Sequence, residues 1–110
     1  MWFSMVLVVA KMEFIKIKSE VERVLSRAKS MHPSQLIRNE EIIKRLASIV
    51  DSMLSENYEE IEIGEILQMI KSTNVDLFNR VIDLTKNPVK CRQIHSRYSW
   101  NIKLKKIRSK

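Results

Sequence analysis

The stretch NEEIIKRLASIVDSMLSEN, residues 39–57, decides the fold of this 110-residue chain. Its apolar residues recur at steps of three and four, the spacing that places them on one side of an α-helix. They are Ile42, Ile43, Leu46, Ala47, Ile49, Val50, Met53 and Leu54. A single amphipathic helix of this length is not stable alone in water, so the rest of the chain must cover the stripe.

Both ends of this helix are marked in the sequence. The side chain of Asn39 can accept a hydrogen bond from a free backbone amide, and Glu40 and Glu41 place negative charge where the helix dipole favours it. Asn57 is a residue that tolerates the left-handed conformation in which many helices end. The pattern therefore predicts a helix between Asn39 and Asn57.

The composition favours a small helical domain. Apolar residues make up 45% of the chain, which contains one glycine and two prolines. An all-β fold needs many turns with positive φ and hence more glycine, so we predict a mainly α fold in a single domain, 1–110. Cys91 is the only cysteine and cannot form an internal disulfide, which favours a reducing compartment such as the cytoplasm.

Residues 1–38 are predicted to form an N-terminal extension of strand or helix. The apolar run Trp2–Ala10 is too short to span a membrane and has no Lys or Arg before it, so we expect a buried strand or the first turn of a core helix. Residues 14–28 continue as a helix, or as a strand over Phe14–Lys18 with a helix that begins at Ser19. Pro33 suits the first turn of a short helical piece.

Residues 57–110 alternate short elements. The triplet Ile61–Ile63 predicts a minimal strand, and a short helix follows over Glu65–Lys71. A capping box formed by Thr73 and Asp76 predicts a second helix over Asn74–Lys86, which Pro88 ends. In the last segment Tyr98, Trp100, Ile102 and Leu104 alternate with polar residues, and we favour a strand. The competing helical stripe is Cys91, Ile94 or His95, Tyr98 and Ile102.

This order of elements resembles the winged helix-turn-helix family over residues 39–107. The resemblance makes Ile61–Ile63 the short first strand, Gly64–Lys71 the supporting helix and Asn74–Lys86 the recognition helix. It implies a C-terminal β-hairpin over Val89–Leu104 as the wing, so the expected fold is mainly α with that hairpin. In such a module the second helix enters the major groove of DNA while the hairpin contacts phosphates.

Charge is segregated along the chain. Residues 1–38 carry a net +4, residues 39–85 a net −6, and residues 86–110 a net +9 with no acidic residue. A concentrated positive segment attracts polyanions, above all nucleic acid, and two aromatic residues lie within it. The predicted nucleic-acid-binding residues are Lys86, Lys90, Arg92, Arg97, Tyr98, Trp100, Lys103, Lys105, Lys106 and Arg108.

We therefore expect a DNA-binding regulator or chromatin-type binder, with DNA favoured over RNA as the partner. The two aspartates of the expected recognition helix, Asp76 and Asp83, predict limited base reading, because phosphates repel them. No catalytic, metal-binding or cofactor-binding pattern is found, so an enzyme is not expected. The alternative is a helical scaffold subunit of a replication, RNA-processing or defence complex, including a homodimer, because cationic ends and an anionic middle could pair between chains.

Overall fold

In the computed structural model, the backbone is described over residues 2–108 and the side chains over residues 13–105. This part of the chain contains six α-helices and no β-strand. The helices are α1 (Trp2–Lys29), α2 (Pro33–Leu36), α3 (Glu40–Ser55), α4 (Glu60–Thr73), α5 (Val75–Leu84) and α6 (Pro88–Arg108). The prediction of a mainly α fold is confirmed.

Helix α3 is the best predicted element. Asn39 Oδ1 accepts a hydrogen bond of 3.1 Å from the amide of Ile42, which confirms the predicted N-terminal cap. Asn57 has φ of 59°, the left-handed conformation predicted for the end of the helix. The predicted apolar stripe faces the core, since six of its eight members are buried: Ile42, Ile43, Leu46, Ala47, Val50 and Met53.

The centre of the fold is α4, which packs against α1, α3, α5 and α6. Its residues Ile63, Ile66, Leu67 and Ile70 are at most 2% exposed. The sequence did not predict this central position, because the pattern of residues 61–71 indicated a minimal strand followed by a short helix. A helix that is covered on several sides has no single apolar stripe. Helix α3 therefore packs beside the central helix, against α1, α4 and α5, and is not itself the central helix.

The predicted C-terminal β-hairpin is wrong, because α6 is one continuous helix from Pro88 to Arg108. Its buried residues are Cys91, Ile94 and His95, which belong to the competing helical stripe. The beginning of α6 is capped, since Asn87 Oδ1 accepts a hydrogen bond of 3.2 Å from the amide of Lys90. Proline is favoured at the first position of a helix, so Pro88 opens α6 as well as following α5.

Two other predictions, the short strand over Ile61–Ile63 and the capping box of Thr73, are also wrong. The triplet Ile61–Ile63 is not a strand but the first turn of α4, where the Glu59 amide donates a 3.2 Å hydrogen bond to Glu62 Oε1. Helix α5 is capped by Asn74, whose Oδ1 accepts from the amide of Leu77 at 3.0 Å. Thr73 does not form the predicted capping box, because its hydroxyl donates to the carbonyl of Met69.

The described part of the N-terminal extension consists of helices α1 and α2, joined and followed by short turns at residues 30–32 and 37–38. Helix α1 runs without a break from Trp2 to Lys29, so neither a strand over Phe14–Lys18 nor a helix start at Ser19 is present. The expected burial of Trp2–Ala10 concerns side chains that lie outside the described residues. The short helix that begins at Pro33 is confirmed. Within the part of the chain that the structure describes, no helix has the length and apolar character needed to cross a membrane.

Candidate nucleic-acid interface

The inner side of α6 packs on α4 and α5. Cys91 is fully buried there, and its Sγ lies 3.6 Å from the hydroxyl of Thr85. Burial raises the pKa of the Cys91 thiol, so the sulfur stays neutral at physiological pH. The residue acts as part of the core, which fixes the side of α6 that must face outward.

His95 also faces the core. Its ring centroid lies 4.9 Å from that of Phe78, and its Nε2 lies 2.8 Å from Gln68 Oε1. Burial, and after it the charge of Lys71, lowers the pKa of His95 below its ordinary value of 6.5. A neutral, inward histidine adds no positive charge to the outer face of α6 at neutral pH.

The structure separates the two aromatic residues of the predicted site. Tyr98 is partly buried against Gly64 of α4, and burial, followed by the charge of Glu65, raises the pKa of its hydroxyl. Trp100 is 63% exposed. Tyr98 therefore covers the core, while Trp100 presents its ring to solvent.

Two arginines of the predicted site are held by acidic residues of neighbouring helices. Arg97 donates to both carboxylate oxygens of Glu60, with distances of 3.1 Å from Nε and 2.8 Å from Nη2. Arg92 Nη2 donates to Asp83 at 3.1 Å, and Arg92 Nη1 to Asn79 Oδ1 at 3.4 Å. These contacts orient the guanidinium groups along α6 and compensate part of their charge.

The lysines of the site are arranged differently. Lys86, Lys90, Lys103 and Lys105 are exposed, and none forms an ion pair with an acidic side chain among residues 13–105. Their charge is therefore open to an external anion. Lys106 and Arg108 lie on the last turns of α6, and their side chains are outside the described residues.

The expected recognition helix corresponds to α5 and is partly covered. Asn79 and Asp83, two of its outward polar residues, are the partners of Arg92. A side chain that is engaged within the fold is less available to read base edges. The outer face of α6, rather than α5, is the more open basic surface.

Sequence reasoning located the cations but missed their partners. Glu60, the partner of Arg97, lies 37 residues before it in the sequence. Asp51 lies 35 residues before Lys86, and its Oδ1 accepts from the backbone amide of Lys86 at 3.0 Å, not from the ammonium group. Contacts over such separations depend on tertiary packing and leave no periodic signal in the sequence. Among the described residues, no three His, Cys, Asp or Glu side chains are grouped as metal ligands.

Comparison with protein-family models, curated proteins and solved structures gives no significant match. The features of this chain that bear on function are the burial pattern of α6, its exposed lysines and its exposed tryptophan.

Proposed function

We propose that this chain is a small DNA-binding protein that contacts the nucleic-acid backbone through the outer face of α6. The observation that carries the proposal is that α6 contains seven basic residues and no acidic one, while Cys91, Ile94 and His95 bury its inner side. The seven basic residues are Lys90, Arg92, Arg97, Lys103, Lys105, Lys106 and Arg108. Of these, Lys105 is exposed but lies about two turns after Tyr98, on the same side of the helix as that residue.

Charge supports binding without strong base reading. Exposed lysines neutralise phosphates and release the counterions that surround DNA, which gives affinity that does not depend on base sequence. Base reading needs a polar helix surface with free hydrogen-bonding groups, whereas Asn79 and Asp83 of α5 bond to Arg92. A binder of the chromatin type, or a regulator with limited sequence preference, fits this balance.

The proposal is tested by titrating a labelled DNA duplex with the full chain at several salt concentrations. If about four lysines contact phosphates, affinity falls roughly 100-fold between about 50 and 200 mM salt. Reversal of Lys103, Lys105 and Lys106 to Glu is expected to abolish binding. The matched control reverses Lys16, Lys29 and Lys44 to Glu, which are exposed lysines of α1 and α3.

Each reversal changes the net charge by −2, so three reversals take both variants from +7 to +1. A loss of binding in the α6 variant alone would support a local site. An equal loss in both variants would indicate only a general effect of net charge and would contradict the proposed interface. Absence of salt-dependent binding at low micromolar protein would contradict the function itself.

A second candidate is a scaffold subunit, and one feature favours it. An apolar depression of about 360 Å³ lies between the beginning of α4 and the end of α6, where Ile61 is 53% exposed. Ile61, Tyr98, Asn101, Ile102, Leu104 and Lys105 line it. Mass measurement in solution tests this role: a stable dimer that Ile61→Glu dissociates, without DNA binding, would favour it.

A further inference from the structure

Core packing does not explain the position of Trp100. It lies nine residues, about two and a half helical turns, after the fully buried Cys91 and so projects from the opposite side of α6. A tryptophan side chain has one of the largest apolar surfaces of any residue, and 63% of this residue is exposed. Surface of this size and flatness is suited to an external partner.

Cations lie on both sides of this ring. Lys90 and Arg97 are seven residues apart, about two turns, and share one edge of the outer face. Arg92 and Lys103 are 11 residues apart, about three turns, and share the other edge. Arg97 and Lys103 are each three residues from Trp100, which makes them its neighbours on the helix surface. Each edge therefore has one lysine with open charge, Lys90 or Lys103, and one arginine whose charge is partly compensated by Glu60 or Asp83.

The charge of this face identifies the class of partner. A second copy of α6 would bring basic residues against basic residues with no acid between them, so self-association through this face is opposed by repulsion. A polyanion satisfies the same charges. A polyanion that also carries flat rings can stack on the indole of Trp100, and nucleic acid has both properties.

We infer that the outer face of α6 binds unpaired nucleotides, with Trp100 stacked on a base and the flanking cations on the neighbouring phosphates. The inference rests on the proposed function and narrows its ligand. In a duplex both faces of each base are covered by neighbouring base pairs, so an indole on a helix surface has no base face to stack on. In a single strand the bases are free, and aromatic side chains use them without regard to sequence.

The test uses the full chain with Trp2→Phe, which leaves Trp100 as the single tryptophan. Its fluorescence is followed during titration with a 20-nucleotide single-stranded DNA and with the duplex of the same sequence, at one salt concentration. We expect strong quenching and roughly tenfold tighter binding for the single strand. Oligo-dT and oligo-rU arms of equal length distinguish single-stranded DNA from single-stranded RNA as the preferred ligand.

Three variants, none of which changes the charge of the protein, test whether the ring of Trp100 stacks on a base. Trp100→Ala is expected to weaken single-strand binding about 5- to 150-fold, the range for one stacked base, and to leave duplex affinity unchanged. Trp100→Phe keeps a ring and is expected to restore most of the affinity. Val89→Ala is the control, because Val89 is a 67% exposed apolar residue on the same face, three turns away, and its loss should change neither affinity.

The possible outcomes are distinct. Equal affinity for both forms, with no effect of Trp100→Ala, would overturn the inference while the proposed function stands. An equal loss of single-strand affinity in Val89→Ala and Trp100→Ala would also overturn it, because general apolar contact would then explain the effect of Trp100. Absence of binding to either form would contradict the proposed function as well.

Discussion

Gly64 of α4 lies directly against Tyr98 of α6. A Cβ atom at position 64 would be 2.5 Å from Tyr98 Cβ and 2.7 Å from its Cγ, distances that real side chains do not adopt. Because Gly64, the only glycine in the protein, has no side chain, α6 can pack closely against α4. This contact sets how α6 is rotated, and hence that Tyr98 faces inward and Trp100 outward.

Replacement of Gly64 by alanine is therefore expected to destabilise the fold. Alanine favours a helix interior by about 1 kcal/mol over glycine, but overpacking a close contact costs about 1 to 3 kcal/mol. We expect the free energy of unfolding to fall by up to about 2 kcal/mol, measured by urea denaturation followed by circular dichroism. Ser48→Ala, at an exposed position of α3, is the control and should change it by less than about 0.5 kcal/mol. A Gly64→Ala variant at least as stable as the original would contradict the close approach.

The elements that sequence reasoning predicted well are those with local signals. Helix α3 has an apolar stripe, a capping asparagine and a left-handed end, and all three depend on residues within a few positions of one another. Helix α6 has no such clear signal, because the alternation of Tyr98, Trp100 and Ile102 and the helical spacing of Cys91, Ile94 and Tyr98 compete in the same segment. A strand also needs a partner strand, and the described residues contain none.

The candidate site was predictable only as a set of charges. The positive segment is evident in the sequence, but its division into paired arginines and open lysines depends on where Glu60 and Asp83 lie in the fold. The same holds for the aromatic residues. Tyr98 and Trp100 are two residues apart, and a strand would place them on the same face, whereas a helix separates them by about 200°.

Asn57 gives a second test, because its φ of 59° lies in the left-handed region. A side chain without a local polar group is strained there by about 1 to 2 kcal/mol, whereas glycine is not. Asn57→Ala is expected to lower the free energy of unfolding by about 1 kcal/mol, and Asn57→Gly to change it by less than about 0.5 kcal/mol. Equal stability of the two variants in thermal denaturation would contradict the left-handed conformation.

Burial of His95 predicts a dependence of stability on pH. The folded pKa of His95 is lowered below 6.5, so the unfolded chain binds the proton more tightly. Stability is unaffected above about pH 6.5 and falls as the pH decreases from there towards the lowered pKa, where the loss levels off. The expected measurement is the free energy of unfolding between about pH 5.5 and 7.5.

His95→Gln removes this titration and is expected to flatten the profile in that range, since its amide can still meet Gln68. His32→Gln, which changes the other histidine at an exposed position, serves as the control and should retain the slope. A slope that persists in His95→Gln and disappears in His32→Gln would refute the assignment.

The ion pair between Glu60 and Arg97 predicts that a substitution can strengthen DNA binding. Both side chains are more than half exposed, and such a pair contributes up to about 1 kcal/mol. Glu60→Gln releases Arg97 for a phosphate, so DNA affinity is expected to rise by up to roughly fivefold. The dependence of log affinity on log salt should steepen by about one unit, as one more phosphate is contacted. Fluorescence anisotropy at several salt concentrations measures both quantities.

Glu41→Gln is the matched control for this experiment. Both glutamates lie in the first turn of a helix, so both substitutions remove one negative charge and the same favourable contact with a helix dipole. Glu41 forms no ion pair with a described cation, and its substitution should change the affinity less than twofold. If the two variants bind DNA equally, the gain reflects net charge alone, and Arg97 does not belong to the interface.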